Sequence, residues 1–194
     1  MSTQGGLSEV ELVWEADGCP QFKVMRGKTA KGKWRYFVSH NANTVMVALV
    51  DKARRTFRLV KQHRVVVDDD TLECVGGKVD PCENRMVEAV RELNEEVGLE
   101  LKLEQLMLGN WRDSTEAIIA CGECYPQPGY DDDAISIFVV FSSAKPVASA
   151  KDEDVDTVLE CSIDEVKTLV RNGKIKDSRT CTVILHALLW FELL

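Results

Sequence analysis

The chain has 194 residues and a formal net charge of −8, and hydrophobic residues make up 45% of it. This length is sufficient for one well-packed core, and the composition is that of an ordinary globular protein. The net negative charge excludes non-specific electrostatic binding to the phosphate backbone of bulk nucleic acid. A small anionic substrate that is bridged to the protein by a cation is compatible with this charge.

The first 18 residues are polar and are predicted to be loosely ordered, and residues 19–194 are predicted to form a single domain. The first 18 residues lack the basic and apolar regions of a signal peptide. No stretch of the chain approaches the roughly 18 consecutive apolar residues that a membrane-spanning helix needs. The seven cysteines are therefore expected to be reduced thiols in the cytoplasm or a similar compartment.

Strands are predicted where apolar or β-branched residues alternate or cluster. These segments are residues 34–38, 44–50, 56–62, 71–75, 101–111 and 134–141, with a polar turn at 51–55. Cys121 and Cys124 lie after the predicted strand 101–111 and form the one CxxC motif in the sequence. Because a zinc site needs about four ligands, an ordinary loop is favoured there over a metal or redox site.

Three helices are predicted from apolar residues at helical spacing. They are residues 83–97, residues 162–173 and a segment that begins at Asp177. Asp80-Pro81 precedes the first helix and Gly98 follows it, and Ser162 with Glu165 forms a capping box for the second. A mixed α/β sheet packed between helices is the fold that this order predicts.

The first predicted helix carries an unusual set of like charges. Residues three and four apart lie side by side on a helix, so Glu88, Glu92, Glu95 and Glu96 share one face with Arg91 as the cation among them. Two interpretations are open. The face is either solvated and able to dock a basic partner, or it binds hard cations such as Mg²⁺, which prefer oxygen ligands.

The residues before this helix favour the second interpretation. Gly76 and Gly77 follow a predicted strand, and glycines allow the backbone to approach a ligand or metal closely. The full spacing is Gly77, five residues, Glu83, seven residues, Arg91-Glu92-Leu93, one residue, Glu95-Glu96, one residue, Gly98-Leu99. This segment matches every fixed position of the Nudix hydrolase signature, so the chain resembles members of that family.

The resemblance implies an α/β/α sandwich in which the signature forms a loop–helix–loop. It also implies hydrolysis of a nucleoside diphosphate linked to another group, with Mg²⁺ or Mn²⁺ as cofactor. The chemistry is consistent, because metals neutralise charge on phosphate oxygens and lower the pKa of the attacking water, and a carboxylate can take the proton.

The resemblance further implies residue roles. Metal ligands are Glu92, Glu95 and Glu96 by their carboxylates and Gly76 by its carbonyl. Arg91 orients a glutamate by a charge-assisted hydrogen bond. Gly77, Glu83 and Gly98 are structural positions of the signature, and Glu83 also supports the helix start and the metal shell.

Other segments resemble the ADP-ribose pyrophosphatase subgroup of this family. They are FRLVKQHRV, LECVGGKVDPCE, PQPGYDDDAISIFVVF, AKDEDVDTVLECSIDEV and GKIKDSRTCTVILHALL. This resemblance implies that ADP-ribose is cleaved to AMP and ribose 5-phosphate. The alternatives are hydrolysis of a UDP-sugar or another nucleoside diphosphate conjugate, and a non-catalytic sensor that binds ADP-ribose or another nucleotide.

Several residues carried over from the subgroup have a second interpretation. Glu153 occupies the place of a metal-binding loop glutamate and is, like Asp152, a candidate base; the alternative is a solvated acidic loop. Trp34 either stacks on adenine or belongs to the core. Arg64 either contacts a phosphate or ribose or is a surface arginine. Glu73 either supports the metal shell or pairs with a cation.

The remaining expectations concern the surroundings of the site. Gly129 belongs to a Pro-Gly segment assigned to substrate binding, and residues 111–127 form a longer stretch than the subgroup pattern has, expected to border the substrate pocket. His40 and His186 are taken as structural. Members of the subgroup are often homodimers, so a homodimer formed through residues 20–40 is expected.

Overall fold

The computed structural model describes residues 6–17, 19–40, 43–79, 82–147 and 155–192. Within these ranges it contains ten strands and four helices. The strands are β1 (Ser8–Ala16), β2 (Cys19–Lys28), β3 (Trp34–His40), β4 (Thr44–Asp51), β5 (Thr56–Arg64), β6 (Asp69–Glu73), β7 (Val75–Lys78), β8 (Ala117–Cys124), β9 (Ile135–Phe141) and β10 (Val155–Ser162). The helices are α1 (Arg85–Val97), α2 (Leu103–Leu108), α3 (Ile163–Arg171) and α4 (Ser178–Glu192).

Seven strands form one mixed sheet around β4. The order is β10-β5-β4-β9-β8, with β6 beside β5 and β7 beside β4. β4 runs parallel to β9, and it shares its other edge between β7, along residues 44–47, and β5, along residues 49–51. The glycines of β7 therefore lie at one end of β4, and the turn between β4 and β5 lies at the other.

Alternation along β4 sends apolar side chains into two cores. The odd-numbered residues from Val45 to Leu49 are buried with residues of α1 and α2 on one face of the sheet. The even-numbered residues from Met46 to Val50 are buried with residues of α3 and α4 on the other face. A sheet covered on both faces in this way is an α/β/α sandwich, which confirms the predicted fold class.

The helices α1, α3 and α4 confirm the three predicted helices. α1 ends at Gly98, which has the left-handed φ of 73° that glycine adopts without strain. The Ser162–Glu165 capping box begins α3. The Asp177 carboxylate caps α4 by accepting the backbone N–H of Thr180 at 2.9 Å. In the described part of the chain, no helix has the length and hydrophobicity needed to cross a membrane.

The start of α1 differs from the expectation. The side chain of Asn84 accepts the backbone N–H of Met86 at 2.9 Å, which makes Asn84 the N-cap. The expected support from Glu83 is therefore provided by the next residue, and Glu83 itself is exposed. Asp80 and Pro81 lie outside the described residues.

Two predicted strands are wrong in detail. Residues 101–111 contain the helix α2, because Leu103 and Leu106, three residues apart, both pack into the α1 core. The predicted strand 71–75 is divided between β6 and β7, which pair with different neighbours. The division falls at Cys74, whose backbone N–H donates to the Thr180 hydroxyl of α4 at 3.0 Å instead of to a neighbouring strand.

The N-terminal strands form a separate three-stranded antiparallel sheet, β1-β2-β3. The prediction that the first 18 residues are loosely ordered is wrong for residues 8–16, which form the first strand of this sheet and pair with β2. The sheet is joined to the loop before β9, where Val38 donates to Tyr130 O at 2.7 Å and accepts from Asp132 N at 3.2 Å. Its exposed large hydrophobic side chains are Leu12, Val13, Trp14, Phe22, Trp34 and Tyr36.

Candidate active site

The acidic face of α1 is largely buried. Glu88, Glu92 and Glu96 are only 1%, 7% and 2% exposed, because this face of the helix turns toward the sheet and the β7 backbone. Ionised carboxylates are costly to bury unless positive charges compensate them. A solvated face that docks a basic partner is therefore the wrong interpretation of these three residues.

Arg91 is the cation that holds this face together. Its Nε donates to Glu88 Oε1 at 3.1 Å and its Nη2 to Glu92 Oε1 at 2.6 Å, and its Nη1 contacts Glu95. The hydrogen bond with Glu88 is the main reason that the pKa of Arg91 is raised. One guanidinium thus restrains three carboxylates, and Glu88, to which the sequence analysis gave no role, is one of its partners.

The β7 glycines let the backbone touch this acidic face. A Cβ built on Gly77 would overlap the carboxylate of Glu92, so this carboxylate lies directly over the Gly77 Cα. A Cβ on Gly76 would overlap the Met46 side chain and lie 2.7 Å from the carbonyl oxygen of Val45. A side chain at either position would therefore displace its neighbours, which is the close approach that the paired glycines predict.

The available donors fit a hard divalent cation, because they are carboxylate and backbone carbonyl oxygens. In the ranges that the structure describes, no group of three or more His, Cys, Asp or Glu side chains is arranged to hold a metal ion. Glu92 and Glu95 contact the Arg91 guanidinium, which supplies the positive charge between them. Glu153 and Asp152 lie outside the described residues, so the metal-ligand roles stay a prediction.

Two cavities share a wall at this end of the sheet. The smaller has a volume of about 260 Å³ and is lined by both β7 glycines. The larger has a volume of about 580 Å³, within the range of small-molecule sites. Three charged residues line both cavities: Arg64, Glu73 and Arg179. Two arginines are therefore common to both cavities beside Gly77, in a chain whose overall charge is negative.

Glu73 organises this shared wall. Its buried carboxylate accepts from Arg64 Nε at 2.7 Å and Nη2 at 2.6 Å, and from the Thr71 hydroxyl at 2.6 Å. Burial acts to raise the pKa of Glu73, but the hydrogen bonds from Arg64 and Thr71 outweigh it, and the net pKa lies below the ordinary value. Glu73 thus pairs with a cation, and Arg64 is a fixed arginine of the cavity wall.

Arg179 is a candidate site residue that the sequence analysis missed. Its Nε donates to Asp177 Oδ1 at 2.9 Å, and its Nη2 lies 3.5 Å from Glu73 Oε2. Glu73 and Arg179 are 106 residues apart in the chain, and no local pattern joins them. The GKIKDSRT segment was recognised as part of the resemblance, but nothing in it distinguishes an arginine of a cavity wall from one exposed on a helix.

The smaller cavity contains two further residues of interest. Burial raises the pKa of Asp133, which accepts the Thr44 hydroxyl at 3.1 Å. His40 lies opposite with its Nε2 3.4 Å from Asp131, so it lines a candidate site where the sequence analysis took it as structural. A carboxyl group with a raised pKa in a cleft is a candidate for proton transfer.

Trp34 and Gly129 do not line the two cavities beside Gly77. Trp34 is 36% exposed and belongs to neither core, so the core interpretation is wrong. The Arg26 guanidinium lies 4.6 Å from its ring centroid. Gly129 lines a third cavity of about 350 Å³ together with Tyr36 and Tyr130. Their roles in substrate binding stay predictions.

The stretch 111–127 lines neither of the two cavities beside Gly77, and its expected place beside the substrate pocket stays a prediction. It contains the edge strand β8, which contacts α1 through an Arg85–Glu123 ion pair. Cys121 and Cys124 lie on this strand as free thiols, so the expected loop is wrong. Burial raises the pKa of both thiols, which disfavours a metal or redox role.

Comparisons with known proteins agree with this geometry. The NUDIX domain family matches residues 40–180. The chain is 29% identical over 165 residues to the methanol dehydrogenase activator of Bacillus methanolicus, and 23% identical over 164 residues to the ADP-ribose pyrophosphatase of Bacillus subtilis (strain 168). Each match covers 84% of this chain and 78% of the relative. A solved structure of an ADP compounds hydrolase superposes with a TM-score of 0.71 at 18% identity, covering 96% of this chain and 93% of the other.

Proposed function

The chain belongs to the NUDIX hydrolase family, and we propose that it hydrolyses the pyrophosphate bond of ADP-ribose in a reaction that depends on Mg²⁺ or Mn²⁺. Water adds to one phosphorus of the diphosphate, the P–O bond to the bridging oxygen breaks, and the products are AMP and ribose 5-phosphate. The observation that carries this proposal is the Glu92 carboxylate, held over Gly77 by Arg91 beside the cavities.

The residues of the chain supply the rest of this site. Glu92, Glu95 and Glu96 would hold the cation with the Gly76 carbonyl, and the cation, when bound, supplies neutralisation of charge on the diphosphate and a lower pKa for the attacking water. Arg64 and Arg179 present guanidinium groups that are suited to phosphate oxygens.

The larger cavity offers a place for the part of the substrate that is not phosphate. The turn between β5 and β6 contributes three consecutive valines to its lining, Val65, Val66 and Val67. Val66 is 98% exposed, which gives this wall an apolar rim. An apolar wall next to two arginines is consistent with a substrate that joins a diphosphate to a bulkier organic group.

A product-resolved screen tests the proposal. Purified protein with Mg²⁺ or Mn²⁺ is offered ADP-ribose, UDP-sugars, dinucleotides, coenzyme A and nucleoside triphosphates, and the products are separated and identified. We expect ADP-ribose to give AMP and ribose 5-phosphate with the highest kcat/KM of the panel, and chelation of the metal to abolish turnover.

The same screen separates the alternatives. A UDP-sugar or another conjugate turned over with a higher kcat/KM would replace ADP-ribose as the substrate. The remaining alternative is a non-catalytic, nucleotide-binding role, and one relative is named for the activation of another enzyme, methanol dehydrogenase. Tight ADP-ribose binding by calorimetry, without phosphate-containing products from any member of the panel, would establish that role and overturn the hydrolase proposal.

We also propose that the chain forms a homodimer through the β1-β2-β3 sheet. This sheet exposes Trp14 and Tyr36 by more than half, and it contacts the loop before β9 rather than lying on either core. An exposed apolar surface of this kind marks interaction sites. Light scattering at micromolar concentration should give about twice the protomer mass of 21.7 kDa, and a monomer would contradict the proposal.

A further inference from the structure

A second group of cations lies far along β5 from Arg64. It surrounds a cavity of about 390 Å³ whose lining residues are Arg54, Arg58, Lys145, Pro146, Val158 and Glu160. None of these residues lines the cavities beside Gly77. The site lies where β4 and β5 join, which is the end of β4 opposite to the β7 glycines.

Arg58 is the unusual member of this group. Its side chain is 7% exposed, and its buried Nη1 has no hydrogen-bond partner among the residues that the structure describes. The nearest carboxylate oxygen, Glu160 Oε2, is 3.7 Å from Arg58 Nε. A buried charge that is not closely compensated is costly, and Arg58 lines the cavity, so an anion bound against its guanidinium there would be stabilising.

The lining of this cavity has a surplus of positive charge. Arg54, Arg58 and Lys145 face it, whereas Glu160 is its acidic lining residue. Glu160 is shared, because Arg54 Nη1 also lies 3.5 Å from its Oε1. Arg54 has a second acidic neighbour in Asp51, with Nε 3.7 Å from Oδ2, but Asp51 does not line the cavity.

We propose that this cavity is an anion site that binds a phosphate dianion. Two guanidinium groups and one ammonium group provide N–H donors, and phosphate oxygens accept hydrogen bonds from both kinds of group. The phosphate is either free or the terminal group of a phosphomonoester, and the apolar surfaces of Pro146 and Val158 offer contact to the organic part of the latter. The site is separate from the proposed hydrolysis and does not depend on it.

The site also lies close to one end of the signature helix. Lys145 is two residues before Val147, whose backbone N–H donates to the carbonyl oxygen of Gly98, the C-cap of α1, at 2.8 Å. The Val147 amide is therefore a natural reporter of occupancy, in addition to the Arg58 side chain itself.

Nuclear magnetic resonance titration of the metal-free protein tests the proposal. Inorganic phosphate and ribose 5-phosphate are added separately while the Arg58 Nε–H and Val147 amide signals are followed. We expect saturable shifts of the Arg58 signal. Equal affinity for the two probes would identify free phosphate as the ligand, and tighter binding of ribose 5-phosphate would identify a phosphomonoester.

Two double variants make the test specific without disturbing the buried Arg58. Arg54→Gln with Lys145→Gln removes two exposed cations of the site and should weaken binding at least tenfold. Arg171→Gln with Lys174→Gln removes two exposed cations at the end of α3 and should leave the affinity unchanged. No saturable shift of the Arg58 signal with either probe, or equal affinity in the two double variants, overturns the proposal.

Discussion

Replacing Glu96 with Gln is expected to lower kcat/KM for ADP-ribose at least about a hundredfold while leaving the protein folded. Substitution of groups that only support a metal ligand already costs about 10- to 100-fold, and Glu96 is proposed as a ligand itself. The Glu96 side chain is 2% exposed. Because Gln has nearly the same volume as Glu, the substitution leaves no cavity in the core and the protein is expected to stay folded. Steady-state kinetics with Mg²⁺, together with Mn²⁺ affinity by calorimetry, measures the effect.

Glu104→Gln provides the matched control for Glu96. Glu104 lies exposed on α2, and its replacement changes the net charge of the protein by the same amount. We expect this variant to keep the kinetics and the Mn²⁺ affinity of the unsubstituted protein. If Glu96→Gln lowers kcat/KM less than tenfold, which corresponds to about 1.4 kcal/mol, Glu96 is not a metal ligand.

Gly77→Ala is expected to have an effect on activity of similar size for a different reason. The new Cβ would overlap the Glu92 carboxylate, which is buried and hydrogen-bonded to Arg91 at 2.6 Å. Glu92 must therefore leave the position from which it is proposed to bind the cation. We expect a loss of at least about a hundredfold in kcat, as for a lost ligand. Overpacking typically destabilises by about 1–3 kcal/mol, which lowers the thermal midpoint by several degrees.

Gly109→Ala separates loss of activity from loss of stability. A Cβ at Gly109 would overlap the backbone carbonyl of Glu116, which cannot rotate away as a side chain can. Gly109 lines neither cavity beside Gly77. We expect at least as large a fall in the thermal midpoint as for Gly77→Ala, with kcat of the folded enzyme retained. A Gly77→Ala variant that is destabilised but keeps its kcat would show that the position of Glu92 over Gly77 has no part in catalysis.

The most predictable parts of the molecule are those in which spacing along the chain decides the outcome. The signature helix, its left-handed cap at Gly98 and the capping box at Ser162 follow from residues within a few positions of one another. The close approach at Gly77 was also predictable, because the glycine pair stands at a fixed interval before the helix. The resemblance to the family was drawn from the same local pattern, and the family match extends over residues 40–180.

Local patterns do not predict the structure where the chain pairs with distant residues. Cys74 leaves the sheet because Thr180 accepts its N–H, and residues 103–108 form a helix because the α1 core receives two of their leucines. The stretch around Cys121 became an edge strand because β9 was available for pairing. In each case the partner lies far away in the sequence, and the energy of that contact exceeds the local preference.

The sequence by itself determined the family and the position of the acidic helix behind a glycine pair, because both depend on residue spacing within one segment, and the α/β/α class followed from the order of the elements and from the family resemblance. Only the tertiary structure decided that Arg91 restrains three glutamates and that Glu73 holds Arg64 and Arg179 on one cavity wall. It also decided that Arg58 is buried with no partner for its Nη1 within the described ranges. Charge pairing acts through space and falls off within a few ångströms, so it becomes visible only when strands and helices have brought distant residues together.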